Sequence, residues 1–172
     1  MARSQATDFY HAMKFHVKVV TGGVTGASNI GTQGGFTNAV MPEKTIEAVE
    51  YKEGIYLYRR KYPGDVTYSD ITLTKGVAKA GTDFFDWINA VLRGQAYRVD
   101  LQILHFHRDE VSDLDNFTSA TAKRVINCYE CFPIRVKPGA DFDGQSSEIS
   151  LEEMDIAIER FELVDGGTRV AA

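Results

Sequence analysis

Tyr97-Arg98-Val99-Asp100-Leu101-Gln102-Ile103 carries an apolar side chain at every odd position and a polar or charged one between them. Successive side chains of a strand point to opposite faces, so this period of two predicts a half-buried β-strand that runs on to His107. The same alternation occurs where Met13, Phe15, Val17 and Val19 are separated by Lys14, His16 and Lys18, and where Ile71 and Leu73 alternate with Thr72 and Thr74. Phe36 to Met41 reads as a short strand ended by Pro42. Thr45 to Tyr62 is less regular, but its Val49, Tyr51, Ile55, Tyr56, Leu57, Tyr58 and Tyr62 suit extended pairing, and Pro63-Gly64 then predicts a turn. Lys123 to Val136 returns to β character.

One helix interrupts this pattern, over Thr82 to Gly94. Thr82 is placed to cap the free amides, Asp83 sits near the positive end of the dipole, and Gly94 suits the left-handed closing position. Phe84, Ile88 and Val91 recur at helical spacing, so one face packs on a sheet. The segment Leu151 to Glu162 fits both periods: Leu151, Met154, Ile158 and Phe161 suit a helix, while Met154, Ile156 and Ile158 suit a strand. Thr21 to Gly35 holds six glycines and almost no large side chain and predicts a loop, as do the acidic Arg108 to Asn116 and the Gly- and Ser-rich Pro138 to Ser147. No fixed-period repeat and no linker divides the chain, so residues 1–172 are expected to form a single domain.

Composition narrows the function classes. A net charge of −5, with Arg59, Arg60 and Lys61 as the one basic run, argues against a surface that neutralises phosphates. The N-terminal residues lack the apolar core of a secretory signal, and no stretch approaches the ~20 apolar residues that span a bilayer. These features predict a soluble product made in the cytoplasm, without direct insertion into a membrane.

The chemical motifs are weak. Cys128-Tyr129-Glu130-Cys131 has the spacing of a redox disulfide or half a zinc site, but no second pair exists and Phe132-Pro133 follows in place of a helix. On a regular strand, residues three apart point to opposite faces, which predicts separated thiols acting as small buried apolar groups. His105 and His107 share a strand face, with His11 or His16 as a third possible ligand, yet no third ligand is placed by spacing. Gly26 and Gly31 lack the lysine of a phosphate loop, since Thr32 follows, and Phe117 stands where a calcium loop beginning at Asp113 and Asp115 needs oxygen. The residues therefore point to no catalytic, cofactor or metal site, and no cofactor is expected.

Three words in order carry more. Val49-Glu50-Tyr51-Lys52-Glu53-Gly54 is followed by Arg60-Lys61-Tyr62-Pro63-Gly64 and by Tyr68-Ser69-Asp70-Ile71-Thr72-Leu73-Thr74-Lys75-Gly76-Val77. After them come Phe85-Asp86-Trp87, Ala90-Val91-Leu92-Arg93-Gly94 and Cys131-Phe132-Pro133-Ile134-Arg135-Val136. This succession resembles the tail tube protein family of contractile phages and contractile injection systems, over roughly Phe15 to Leu163. The glycine-rich Thr21 to Gly35, the acidic Arg108 to Asn116 and Cys128-Tyr129-Glu130 depart from it.

The resemblance implies an α+β, mainly β fold: an antiparallel β sandwich or small barrel with one flanking helix, its sheets joined across subunits into a ring. It also implies that Leu151 to Glu162 is strand. The implied function is a structural, non-enzymatic inner tube subunit that forms stacked homohexameric rings. Its implied partners are itself, a sheath protein, baseplate proteins, and passing cargo, protein effector or DNA, that is not specifically bound. The tyrosine-rich arm from Glu53 to Gly64 is the candidate for stacking contacts, through Glu53, Tyr56, Tyr58, Arg59, Arg60 and Tyr62. The same arm also reads as an ordinary intramolecular hairpin. Other readings are a tube-initiating subunit of the baseplate, a monomeric β-sandwich binding module, and a thiol-redox enzyme using Cys128 and Cys131.

Overall fold

The alternation of Val99, Leu101 and Ile103 forms a strand in which all three of these residues are buried. It is β6, Val99–His105, in a computed structural model that describes residues 12–20, 30, 35–78, 81–106, 124–140, 148–165 and 168–169. Within those residues, β1 (Phe15–Val19), β2 (Phe36–Val40), β3 (Lys44–Tyr51), β4 (Arg60–Tyr68) and β5 (Ile71–Gly76) precede the one helix, α1 (Asp83–Leu92). After β6 come β7 (Arg124–Lys137), β8 (Leu151–Ala157), β9 (Arg160–Asp165) and β10 (Thr168–Arg169). The last segment forms two strands, β8 and β9, broken at Ile158 and Glu159, which settles its ambiguous period. The expected loops at Thr21 to Gly35 and Arg108 to Asn116, and most of Pro138 to Ser147, lie outside the described residues.

All pairings are antiparallel, and those other than β3 with β4 build two sheets that share β7. The first half of β7 lies between β6 and β9, with β1 beyond β6 and β10 beyond β9. Its second half pairs with β8, which continues through β5 to β2. The result is a sandwich and not a closed barrel. Its open side, between edge strands β1 and β2, holds a cleft of about 370 Å³ lined by Phe15, Ala39, His105, Arg124 and Ile126 among others.

Both sheets and the helix contribute to one core. Val17, Leu101, Ile103 and Cys128 from one sheet meet Ile71, Leu73, Met154 and Ile156 from the other, with Phe84 and Trp87 of α1 against them. Each such side chain contributes about 1.5–3 kcal/mol on full burial. Trp87 also donates its indole N–H to the Tyr97 carbonyl at 2.8 Å. A smaller cluster of Leu104, Phe106 and Val125 lies on the opposite face of β6 and β7.

Where β7 passes from one sheet to the other it carries an extra residue. Val99 and Leu101 are two apart, yet they face Cys131 and Cys128, which are three apart. Glu130 absorbs the difference by adopting a left-handed backbone, φ 55°, with its N–H donated to Asp100 Oδ1 at 3.0 Å. Such bulges sharpen strand twist and let a strand turn a corner. This corrects the expectation of separated thiols, because the bulge returns Cys131 to the face of Cys128 and both are buried in the core as free cysteines.

Two other expectations change. Pro63 and Gly64 lie inside β4, not at a turn; the turn falls between Tyr51 and Arg60. Ala48 faces Pro63 beside a register shift that tolerates a residue without N–H, and a Cβ at position 64 would meet Val49 Cγ2 at 2.8 Å. Thr82 stands at the helix start but makes no capping bond, its hydroxyl donating instead to Asp86 Oδ2 at 2.7 Å. Gly94 closes the helix at φ 66°, as expected.

Candidate assembly interface

β3 and β4 pair with each other in a separate two-stranded sheet. The cross-strand pairs Ile46 with Val66 and Val49 with Tyr62 place apolar side chains on opposite faces of the hairpin. Here both faces are open, for every residue of β3 is exposed and so is nearly all of β4. An isolated hairpin is marginally stable in water, so a long one with large apolar side chains on both faces needs a neighbour to cover it. Its two ends are held together by Ser69 N–H to the Glu43 carbonyl at 3.0 Å and Glu43 N–H to Ser69 Oγ at 2.8 Å, and its base meets the sandwich where the edge of Tyr68 packs against Phe161.

The apex brings together all six residues singled out in the sequence. Glu53 accepts the Tyr56 N–H at its carbonyl at 3.1 Å, which starts the turn. Tyr56 and Tyr58 lie with ring centroids 5.9 Å apart, and the Arg60 guanidinium sits over Tyr56 at 4.3 Å. Arg59 donates to Glu50 Oε2 at 3.1 Å, with Lys61 3.8 Å from the other oxygen, and Tyr62 faces Val49 across the ladder. These are surface ion pairs, worth roughly 0–1 kcal/mol each, so they shape the apex more than they stabilise it.

Two residues of the apex were not singled out beforehand. Ile55 is 94% exposed and Leu57 100% exposed, more than any tyrosine beside them. Their signal in the sequence was the unbroken run Ile55-Tyr56-Leu57-Tyr58, which lacks the alternation of a half-buried strand and which a strand reading absorbs without comment.

Among the described residues the remaining chemical motifs do not converge; His11, His107, Gly26, Gly31, Asp113 and Asp115 lie outside them. His16 lies opposite Leu104 and His105 opposite Phe15, so the two histidines point to opposite faces of their sheet. Burial, then the nearby Lys18 charge, pushes the His16 imidazole below its ordinary value. No cluster of three potential metal ligands occurs among the described residues. Burial, then the neighbouring Cys131, pushes the Cys128 thiol upward, and burial pushes Cys131 up to about 12, the reverse of an activated nucleophile. The outer face of β7 and β8 carries an ordered charge network in which Arg135 bonds both Asp155 and Glu153. Thr72 adds a hydrogen bond to Asp155 at 2.9 Å, and with Arg135 as the larger cause the Asp155 carboxyl is held below the usual range.

The fold and the uncovered hairpin together define the class: a mainly β structural protein with a surface suited to packing against another chain. A family model described as the T4-like virus tail tube protein gp19 matches residues 11–162, and the chain belongs to that family. Solved structures share the architecture. A chain of the sheath-tube complex of an extracellular contractile injection system, PVC, in the extended state is 21% identical with a TM-score of 0.73, over 95% of this chain and 99% of that one. A chain in the tube-terminating cap of the anti-feeding prophage, AFP, is 22% identical with a TM-score of 0.68, over 94% and 97% of the two chains. One in the AFP baseplate is 12% identical at the same TM-score, over 92% and 97%. No curated protein sequence matches the chain. No helix among the described residues is long and apolar enough to cross a membrane.

Proposed function

We propose that this tail tube protein forms the inner tube of a contractile tail or injection system, as homohexameric rings stacked into a hollow conduit and without catalytic activity. The observation that carries the proposal is the β3–β4 hairpin, with large apolar side chains on both faces and uncovered among the described residues. A second copy is its natural cover. Edge strands β1 and β2 each pair on one side among the described residues, and joining such edges around a ring removes the open hydrogen-bonding groups that invite uncontrolled association.

Six copies at −5 each carry a formal charge of −30, which disfavours retention of DNA or acidic cargo in a narrow conduit. By its likeness to a chain of a sheath-tube complex, the outer partner is a sheath protein, and baseplate proteins seed the tube. The subunit is made in the cytoplasm and then built into the particle. Tyr56→Asp with Tyr58→Asp places two charges in the stacking contact without touching the core, so the subunit remains folded and does not elongate. Normal tubes from that variant, seen by negative-stain electron microscopy, would remove the hairpin from the interface.

A further inference from the structure

The sheet of β2, β5, β8 and the second half of β7 has one face in the core and the other open among the described residues. On the open face the pairings set Asn38 and Glu153 beside Thr74, and Asp155 beside Thr72. Arg135 lies opposite Asp155, and Lys137 opposite Glu153. Two cations and two carboxylates leave this face without formal net charge, although the whole chain carries −5. Arg135 is bound twice, its Nε donating to Asp155 Oδ2 and its Nη2 to Glu153 Oε1. Thr72 Oγ1 donates to the other oxygen of Asp155 at 2.9 Å and helps fix that carboxylate in place.

We propose that this face lines the conduit, and that Glu153 and Asp155 occupy Arg135 so that the wall offers no uncommitted guanidinium to the phosphates of a passing nucleic acid. An unpaired guanidinium fits a phosphate with two parallel hydrogen bonds, the contact most apt to arrest such a chain. The proposal rests on the reading that the chain forms a hollow tube. It adds which surface meets the cargo and how that surface is kept from binding it.

A conduit wall needs a polar face and a sheet that continues from copy to copy. Among the described residues β2 pairs only with β5, and residues 132–137 of β7 pair only with β8, so both edges of this sheet are open. Two of its exposed apolar residues, Val40 and Ile134, stand on those edge strands, where a neighbouring copy covers them. The β3–β4 hairpin leaves from one end of this sheet, between β2 and β5. With the hairpin directed at the next ring, these strands run along the tube and the open edges face copies in the same ring. The outer face of the other sheet suits a wall less well, since it carries the buried apolar cluster of Leu104, Phe106 and Val125.

The test assembles tubes with a short fluorescent single-stranded oligonucleotide present, then removes outside probe by nuclease and gel filtration. Parent tubes are expected to hold only background. Tubes of Glu153→Gln with Asp155→Asn, which release Arg135, are expected to hold at least about ten times more, protected from nuclease and lost steeply as salt rises. Adding Arg135→Gln is expected to return retention to background. A double variant at background, or a triple variant that holds as much as the double, overturns the role given to Arg135. Thr74→Cys tests the wall independently of those charges. In tubes it is expected to react with a small maleimide and not with one carried on serum albumin, Cys128 and Cys131 being buried. Reaction with both, or with neither, overturns the wall assignment while the tube itself stands. A parent chain that forms no tubes removes the conduit reading as well.

Discussion

Lys75 occupies the position on β5 where the alternation of Ile71 and Leu73 would place a third apolar residue. Its ammonium is 3.0 Å from Glu152 Oε1, its partner across the ladder, 3.8 Å from Asp83 Oδ2 and 4.3 Å over the Phe84 ring. All three charged side chains are buried, and neither of those two carboxylate oxygens accepts a hydrogen bond among the described residues. The 3.0 Å approach is thus an ion pair without hydrogen-bond alignment, and the cation alone offsets the two negative charges. Lys75→Met removes it and strands both carboxylates, at a cost of about 3–5 kcal/mol. At ~2–4 °C per kcal/mol for a chain of this size, the midpoint falls by roughly 6–20 °C. Adding Asp83→Asn and Glu152→Gln to Lys75→Met is expected to recover most of the loss, since replacing a whole buried ion cluster is often neutral or stabilising. Circular dichroism melts in the Tyr56→Asp, Tyr58→Asp background keep assembly from adding its own stabilisation. A Lys75→Met midpoint within about 3 °C of the parent would refute the reasoning.

Glu130→Val is expected to destabilise by about 1–3 kcal/mol because a β-branched residue resists the left-handed backbone of the bulge, whereas Glu130→Gly is expected to be tolerated; chemical denaturation compares them. The thiols of Cys128 and Cys131 should resist a thiol reagent at pH 8 in the native subunit and react in denaturant. His16 is shifted down by folding, so as pH falls below about 6.5 the unfolded chain protonates first and stability declines. Melts from pH 7.5 to 5 should show that slope, and His16→Gln should flatten it.

Much of the sandwich was legible because period-two alternation is a direct record of one buried face: β5 follows it residue for residue, β6 follows it from Val99 to Ile103, and the helix ends where Gly94 allows. What alternation does not encode is a residue that leaves the pleat. The bulge at Glu130 reverses the relation of Cys128 to Cys131, and no glycine announces it. Pro63-Gly64 reads as a turn by local chemistry, yet tertiary pairing places it inside β4, where Gly64 is needed for the close approach of Val49. Lys75 shows the same limit, since a buried cation is indistinguishable in sequence from a solvated one. Of the proposed interface, the tyrosines and arginines match the composition of buried contacts, but Ile55 and Leu57 look like core until both faces of the hairpin prove to be open.

The central claim, self-assembly into a tube, is tested most directly by negative-stain electron microscopy of the purified chain at high concentration. The account predicts six-fold rings and hollow tubes built from them. A monodisperse monomer that forms neither, even with baseplate components present to seed it, would contradict it.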